Sequence, residues 1–132
     1  MKSRLFCLAS LSAVVLAVGV TAPAATAANK FDSKVTIHLP PDTSAAYFFG
    51  LVKSEKGACE RHRDVDVVRS NDGSPPFSLY AGGLRTNSDG TWTYNGGGTG
   101  TIGNGYYKAV ALKKEISSGV CNKAESKVFF VD

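Results

Sequence analysis

The sequence predicts an all-β fold: a seven-stranded antiparallel β-sandwich with one disulfide, preceded by a segment that is not part of the domain. Apolar and polar residues alternate over short stretches, turn residues punctuate those stretches closely, and no stretch shows an apolar stripe at helical spacing. Short alternating strands with frequent turns suit two packed antiparallel sheets.

The leading segment is set apart by composition. Lys2 and Arg4 precede an almost wholly apolar run from Leu5 to Val20, and Ala25-Thr26-Ala27 then matches the Ala-x-Ala pattern that signal peptidase reads. Residues 1–27 are therefore expected to be a cleaved signal peptide, with a cut after Ala28 as the near alternative. Cys7 lies near the start of this segment and not after the apolar core, which argues against lipid attachment. Residues 28–132 are then expected to form a single domain, long enough for one modest core. The whole chain carries 15 basic and 11 acidic residues; losing Lys2 and Arg4 leaves 13 against 11, a net charge of +2. So even a balance argues against nucleic-acid binding, which relies on a strong positive field.

Cys59 and Cys121 remain in the mature chain. An even pair in an exported chain is expected to form a disulfide, and closing so long a loop contributes about 4 kcal/mol in the chain-entropy account. A metal site is the rival reading, since Cys59 and His62 have a C-x-x-H spacing with Asp64 and Asp66 nearby. Zinc sites need four well-placed ligands, however, and a single paired spacing is visible.

The strands follow in order. Val35, Ile37 and Leu39 alternate with polar residues up to Pro40-Pro41, which predicts an opening strand near a sheet edge. Phe48 and Val52 are placed on the buried face of the next strand, with Gly50 between them permitting close packing. A turn through Lys56 and Gly57 leads to a third strand, in which Val65 and Val67 face inward and Asp64 and Asp66 face solvent. Asn71-Asp72-Gly73 and Pro75-Pro76 break the chain before a short strand from Phe77 to Tyr80. Asp89-Gly90 is a hairpin signal, because both residues tolerate the positive backbone angles of a tight turn. Trp92, expected in the core, alternates with Tyr94. The stretch from Gly96 to Gly103 lacks the features of a phosphate loop and is read as a flexible connection. Beyond it Tyr107, Ala109 and Ala111 share one face, which places Tyr107 in the core and Tyr106 outside it. Val128 and Phe130 mark the last strand.

Nothing in this pattern points to catalysis or to a cofactor. The Gly-x-Ser-x-Gly elbow is absent, and neither His38, expected on a polar strand face, nor His62, in the turn after Cys59, has the context of a base. Glu60, Asp64, Asp66 and Asp89 could serve glycoside hydrolysis only if they converged in space.

Several of these residues also carry a resemblance. Phe48-x-Gly50-x-Val52-x-Ser54, Cys59 leading into the strand from Arg63 to Arg69, Thr86 to Trp92 around Asp89-Gly90, and Gly105-Tyr106-Tyr107 before Cys121 are similar to small exported domains of the transthyretin-like, or carboxypeptidase regulatory-like, β-sandwich class. The resemblance covers nearly all of the mature chain. It implies an immunoglobulin-like or transthyretin-like architecture and a secreted accessory role, and brings no catalytic residues.

The expected function is accordingly a secreted, non-catalytic binding or structural module. Its partner is expected to be a protein or a cell-wall polysaccharide, and the mature chain is expected to carry no stable membrane anchor. The alternative is a secreted inhibitor of a foreign hydrolase, against which the flexibility of residues 96–103 weighs. Exposed aromatics at a flexible loop make economical recognition surfaces, so the expected contact residues are Tyr94 and Tyr106 with Gly96, Gly97 and Gly98.

Overall fold

The computed structural model describes residues 19, 21–41, 47–96 and 102–132. Most of the expected signal peptide, together with Gly97 and Gly98, lies outside the described residues. The chain is mostly β. Its elements run β1 (Lys30–Phe31), β2 (Ser33–Val35), β3 (Tyr47–Ser54), a one-turn helix α1 (Gly57–Glu60), β4 (Asp64–Ser70), β5 (Ser78–Arg85) and β6 (Thr91–Asn95). They continue with β7 (Gly105–Ala111), β8 (Lys114–Ile116), β9 (Gly119–Cys121), β10 (Ala124–Glu125) and β11 (Phe129–Val131).

Among the described residues there are eleven strands, where seven were expected, in three sheets, none closed into a barrel. One has the order β1-β9-β8, one β2-β3-β6, and the largest β10-β7-β4-β5 with β11 also on β7. The extra strands are two or three residues long, too short to display a hydrophobic period. Pairing is antiparallel except between β1 and β9, which run parallel with Phe31 beside Cys121.

Strand alternation builds the core as expected. On β4 and β7, Val65 faces Ala111 and Val67 faces Ala109, and all four are fully buried with Tyr107. Val35, Ile37, Phe48, Val52 and Trp92 from the β2-β3-β6 side belong to the same cluster. Gly50 lies opposite Trp92 in the register; a Cβ there would fall 2.7 Å from the indole Cε2 and collide with the Thr36 carbonyl. Glycine at position 50 is thus the condition for laying the tryptophan flat across β3.

Tyr107 is fully buried and Tyr106 half-buried, the register that alternation requires. The Tyr107 ring packs 5.0 Å from Phe48 and its hydroxyl donates to the Gly103 carbonyl at 2.6 Å. Tyr107→Phe keeps the ring and loses that bond, so urea unfolding should show a loss of about 1 kcal/mol. No measurable loss would mean that water replaces the bond at no cost.

Three expectations are corrected. Asp89-Gly90 forms a tight turn, with Gly90 at φ 85° and the Asn87 amide bonded to the Thr91 carbonyl at 2.7 Å. It does not join paired strands, because β5 and β6 belong to different sheets and the turn carries the chain between them. The strand expected from Phe77 to Tyr80 begins at Ser78 and runs to Arg85, held through Gly82-Gly83 by pairing with β4 across register shifts. The turn at Lys56-Gly57 opens α1, whose carbonyls at Ala58 and Arg61 are capped by the Lys114 ammonium at 2.9 and 2.6 Å.

The disulfide is present. Cys59 on α1 joins Cys121 on β9, both fully buried and 62 residues apart in sequence. Beside it lies Arg63, also fully buried. Its guanidinium donates to the Leu112 carbonyl at 2.9 Å, the Ser33 hydroxyl at 2.6 Å, the Cys59 carbonyl at 3.3 Å and the Asn122 carbonyl. Those acceptors come from β2, α1 and the segments after β7 and β9, so one side chain ties together all the sheets at this end. Desolvation lowers its pKa from the ordinary arginine value. Among the described residues, no helix is long and apolar enough to cross a membrane.

Candidate partner-binding face

The outer face of the largest sheet follows from the same alternation that fills the core. On β7, Tyr106 and Lys108 turn away from the buried face of Tyr107 and Ala109. β11 pairs Phe130 with Tyr106, and the two rings stand 4.9 Å apart. Across the sheet β4 places Val68 beside Lys108, and β5 places Leu79 beside Val68. Phe130 is 53% exposed, Leu79 66% and Val128 41%. Phe130 and Leu79 lie at opposite borders of one sheet face, and exposed large apolar side chains on a single face are what an interaction surface presents.

Local structure holds this face in shape. The Ser70 hydroxyl donates to Asp72 at 2.9 Å and the Ser74 amide to the same carboxylate at 2.9 Å, closing the turn after β4. The Ser74 amide and then the Ser70 hydroxyl hold the Asp72 carboxyl below its usual range. Gly73, at φ 79°, passes so close beneath Tyr106 that a Cβ would meet the ring at 3.1 Å. The Lys108 ammonium lies 4.4 Å from the Phe77 ring centroid and 2.7 Å from Glu125. The face is therefore aromatic, with its cation already paired.

The expected contact residues are only partly brought together. Tyr106 is on this face. Tyr94 is on β6, in another sheet, and leans inward, with its ring 6.3 Å from Phe48 and 5.8 Å from Tyr80. Gly96 follows β6 and is exposed. Phe130, Leu79 and Val128 were not singled out as contact residues. One signal could have found Phe130: in a strand of period 2, Phe129 and Phe130 cannot both face inward.

The cysteine and the acidic residues weighed for chemistry each have local partners. Cys59 is bound in the disulfide, so its sulfur is not available to a metal alongside His62. Glu60 accepts the Ser54 amide at 2.9 Å, Asp64 lies 3.4 Å from Arg85, Asp66 accepts the Gly83 amide at 3.2 Å, and Asp89 accepts the Thr91 hydroxyl at 2.6 Å. Among the described residues, no group of three or more His, Cys, Asp or Glu is placed to hold a metal.

The chain matches no protein-family model, and no curated protein or solved structure matches it.

Proposed function

We propose that this chain is a secreted, non-catalytic binding module on a β-sandwich scaffold of the transthyretin-like or carboxypeptidase regulatory-like class, engaging a protein or cell-wall polysaccharide through the face around Tyr106 and Phe130. The observation that carries this reading is the pairing of the exposed Phe130 with the half-buried Tyr106, on a sheet face that also carries the exposed Leu79. Aromatic pairs of this kind bury large area on binding at little conformational cost. Export is supported by the Ala25-Thr26-Ala27 pattern after the apolar run, and the Cys59–Cys121 bridge is compatible with an extracellular location.

The test is capture. Immobilised mature protein should retain a specific component of the producing organism's culture medium or cell wall. Tyr106→Ser with Phe130→Ser should abolish that capture while the protein still melts cooperatively. A folded double variant that captures as well as the parent would move the contact surface elsewhere, and nanomolar inhibition of a secreted hydrolase would replace this reading with the inhibitor.

A further inference from the structure

Among the described residues, two sheets present unpaired edges to one another along the border of the largest sheet. β2 is the edge of its sheet and β10–β11 the edge of the largest sheet, and between them runs a groove of about 500 Å³. That volume is within the usual range of ligand clefts. Val35, Ile37, Ala124 and Phe129 supply its apolar lining, with Lys34 and Lys127 alongside.

The backbone of the β2 wall is open. The Thr36 and His38 amides are engaged by the Leu51 and Phe49 carbonyls at 2.9 and 2.8 Å, and the Val52 amide bonds to Gly90 instead of to Val35. Alternation therefore aims the peptide groups of Val35 and Ile37 away from β3, toward the groove. The Ile37 amide and carbonyl bond to no backbone group of the described residues. The opposite wall is more fully engaged: the Ser126 amide donates to the Ala109 carbonyl at 2.9 Å, and the Lys127 carbonyl accepts the Ser126 hydroxyl at 2.9 Å.

The charges around the groove do not cancel. Asp32 accepts the Asn122 side chain at 2.7 Å, and Glu125 is held by Lys108 at 2.7 Å and Lys123 at 2.9 Å. Lys34 and Lys127 form no ion pair among the described residues. Asp32 keeps its charge, since the Asn122 amide is neutral, so the lining sets Lys34, Lys123 and Lys127 against Asp32 and Glu125, a net charge of +1.

We propose that this groove takes an extended acidic peptide as an added strand on β2, its main chain bonded to Val35 and Ile37 and its carboxylates facing Lys34 and Lys127. A polypeptide presents the alternating amides and carbonyls that a strand edge pairs with, which a polysaccharide lacks. The groove's lining adjoins the Tyr106–Phe130 face but contains neither of those residues, so different substitutions test the two sites.

The experiment uses the mature, oxidised protein and a short peptide alternating glutamate with valine, followed by amide hydrogen exchange and NMR shifts. The expected result is saturable binding that slows exchange at Val35 and Ile37, absent for the matching lysine–valine peptide. Lys34→Glu with Lys127→Glu should weaken binding about tenfold or more, equivalent to ~1.4 kcal/mol, and Lys34→Gln with Lys127→Gln should weaken it less. Equal binding of the lysine peptide, or no change at Val35 and Ile37, overturns the proposal. Protection of those amides that rises with protein concentration in the absence of peptide also overturns it, making a second copy of the chain the occupant.

Discussion

Urea unfolding of the Arg63→Met protein should show a loss of about 3 kcal/mol or more, roughly 1 kcal/mol or more for each of three carbonyls left without its donor. Methionine fills much of the same volume and carries no charge, so its own desolvation is favourable. The loss comes from the carbonyls left behind. The Cys59 carbonyl loses its donor in the buried interior and those of Leu112 and Asn122 lose theirs where they are part-buried, and a buried acceptor without a partner costs roughly 1 to 3 kcal/mol. Arg63→Lys should recover only part of the stability, because an ammonium cannot reproduce the planar fork that reaches several acceptors at once. A methionine variant within about 1 kcal/mol of the parent would show that water or a backbone shift satisfies those carbonyls.

Reduction of the Cys59–Cys121 bridge should cost about 4 kcal/mol, because the cross-link restricts a long loop in the unfolded chain. The measurement is the urea midpoint of the oxidised protein against Cys59→Ser with Cys121→Ser. Arg63 donates to the Cys59 carbonyl and to that of Asn122, next to Cys121, so the bridge and the guanidinium tie together the same segments. Their effects should therefore not add: in a double-mutant cycle the combined loss should differ from the sum of the separate losses by more than about 0.5 kcal/mol. Additive losses would mean that each acts on its own part of the fold.

The legible parts of this fold were those written in the alternation of single strands. Val65 with Val67, and Tyr107 with Ala109 and Ala111, share their faces because a strand turns successive side chains to opposite sides whatever lies across from them. The cysteine pair was legible for a similar reason, as two thiols in a chain expected to be exported have few other uses. Arg63 was not legible. In sequence it sits in a charged run, Glu60-Arg61-His62-Arg63-Asp64, that reads as solvated surface. Its burial depends on carbonyls up to 59 residues away converging on one point.

The candidate site divides along the same line. Tyr106 could be placed outside the core from its own strand, whereas its partner Phe130 comes from a strand pairing that local pattern does not encode. Tyr94 was read as a surface residue because it precedes a glycine-rich stretch, but the sheet containing Phe48 draws it inward. Taken alone, then, the sequence determined the β class, the inward faces of β4 and β7 and the means for one cross-link. Which edges stay open, which aromatics meet across strands and which arginine is buried were decided by tertiary structure, because each depends on contacts between segments far apart in the chain.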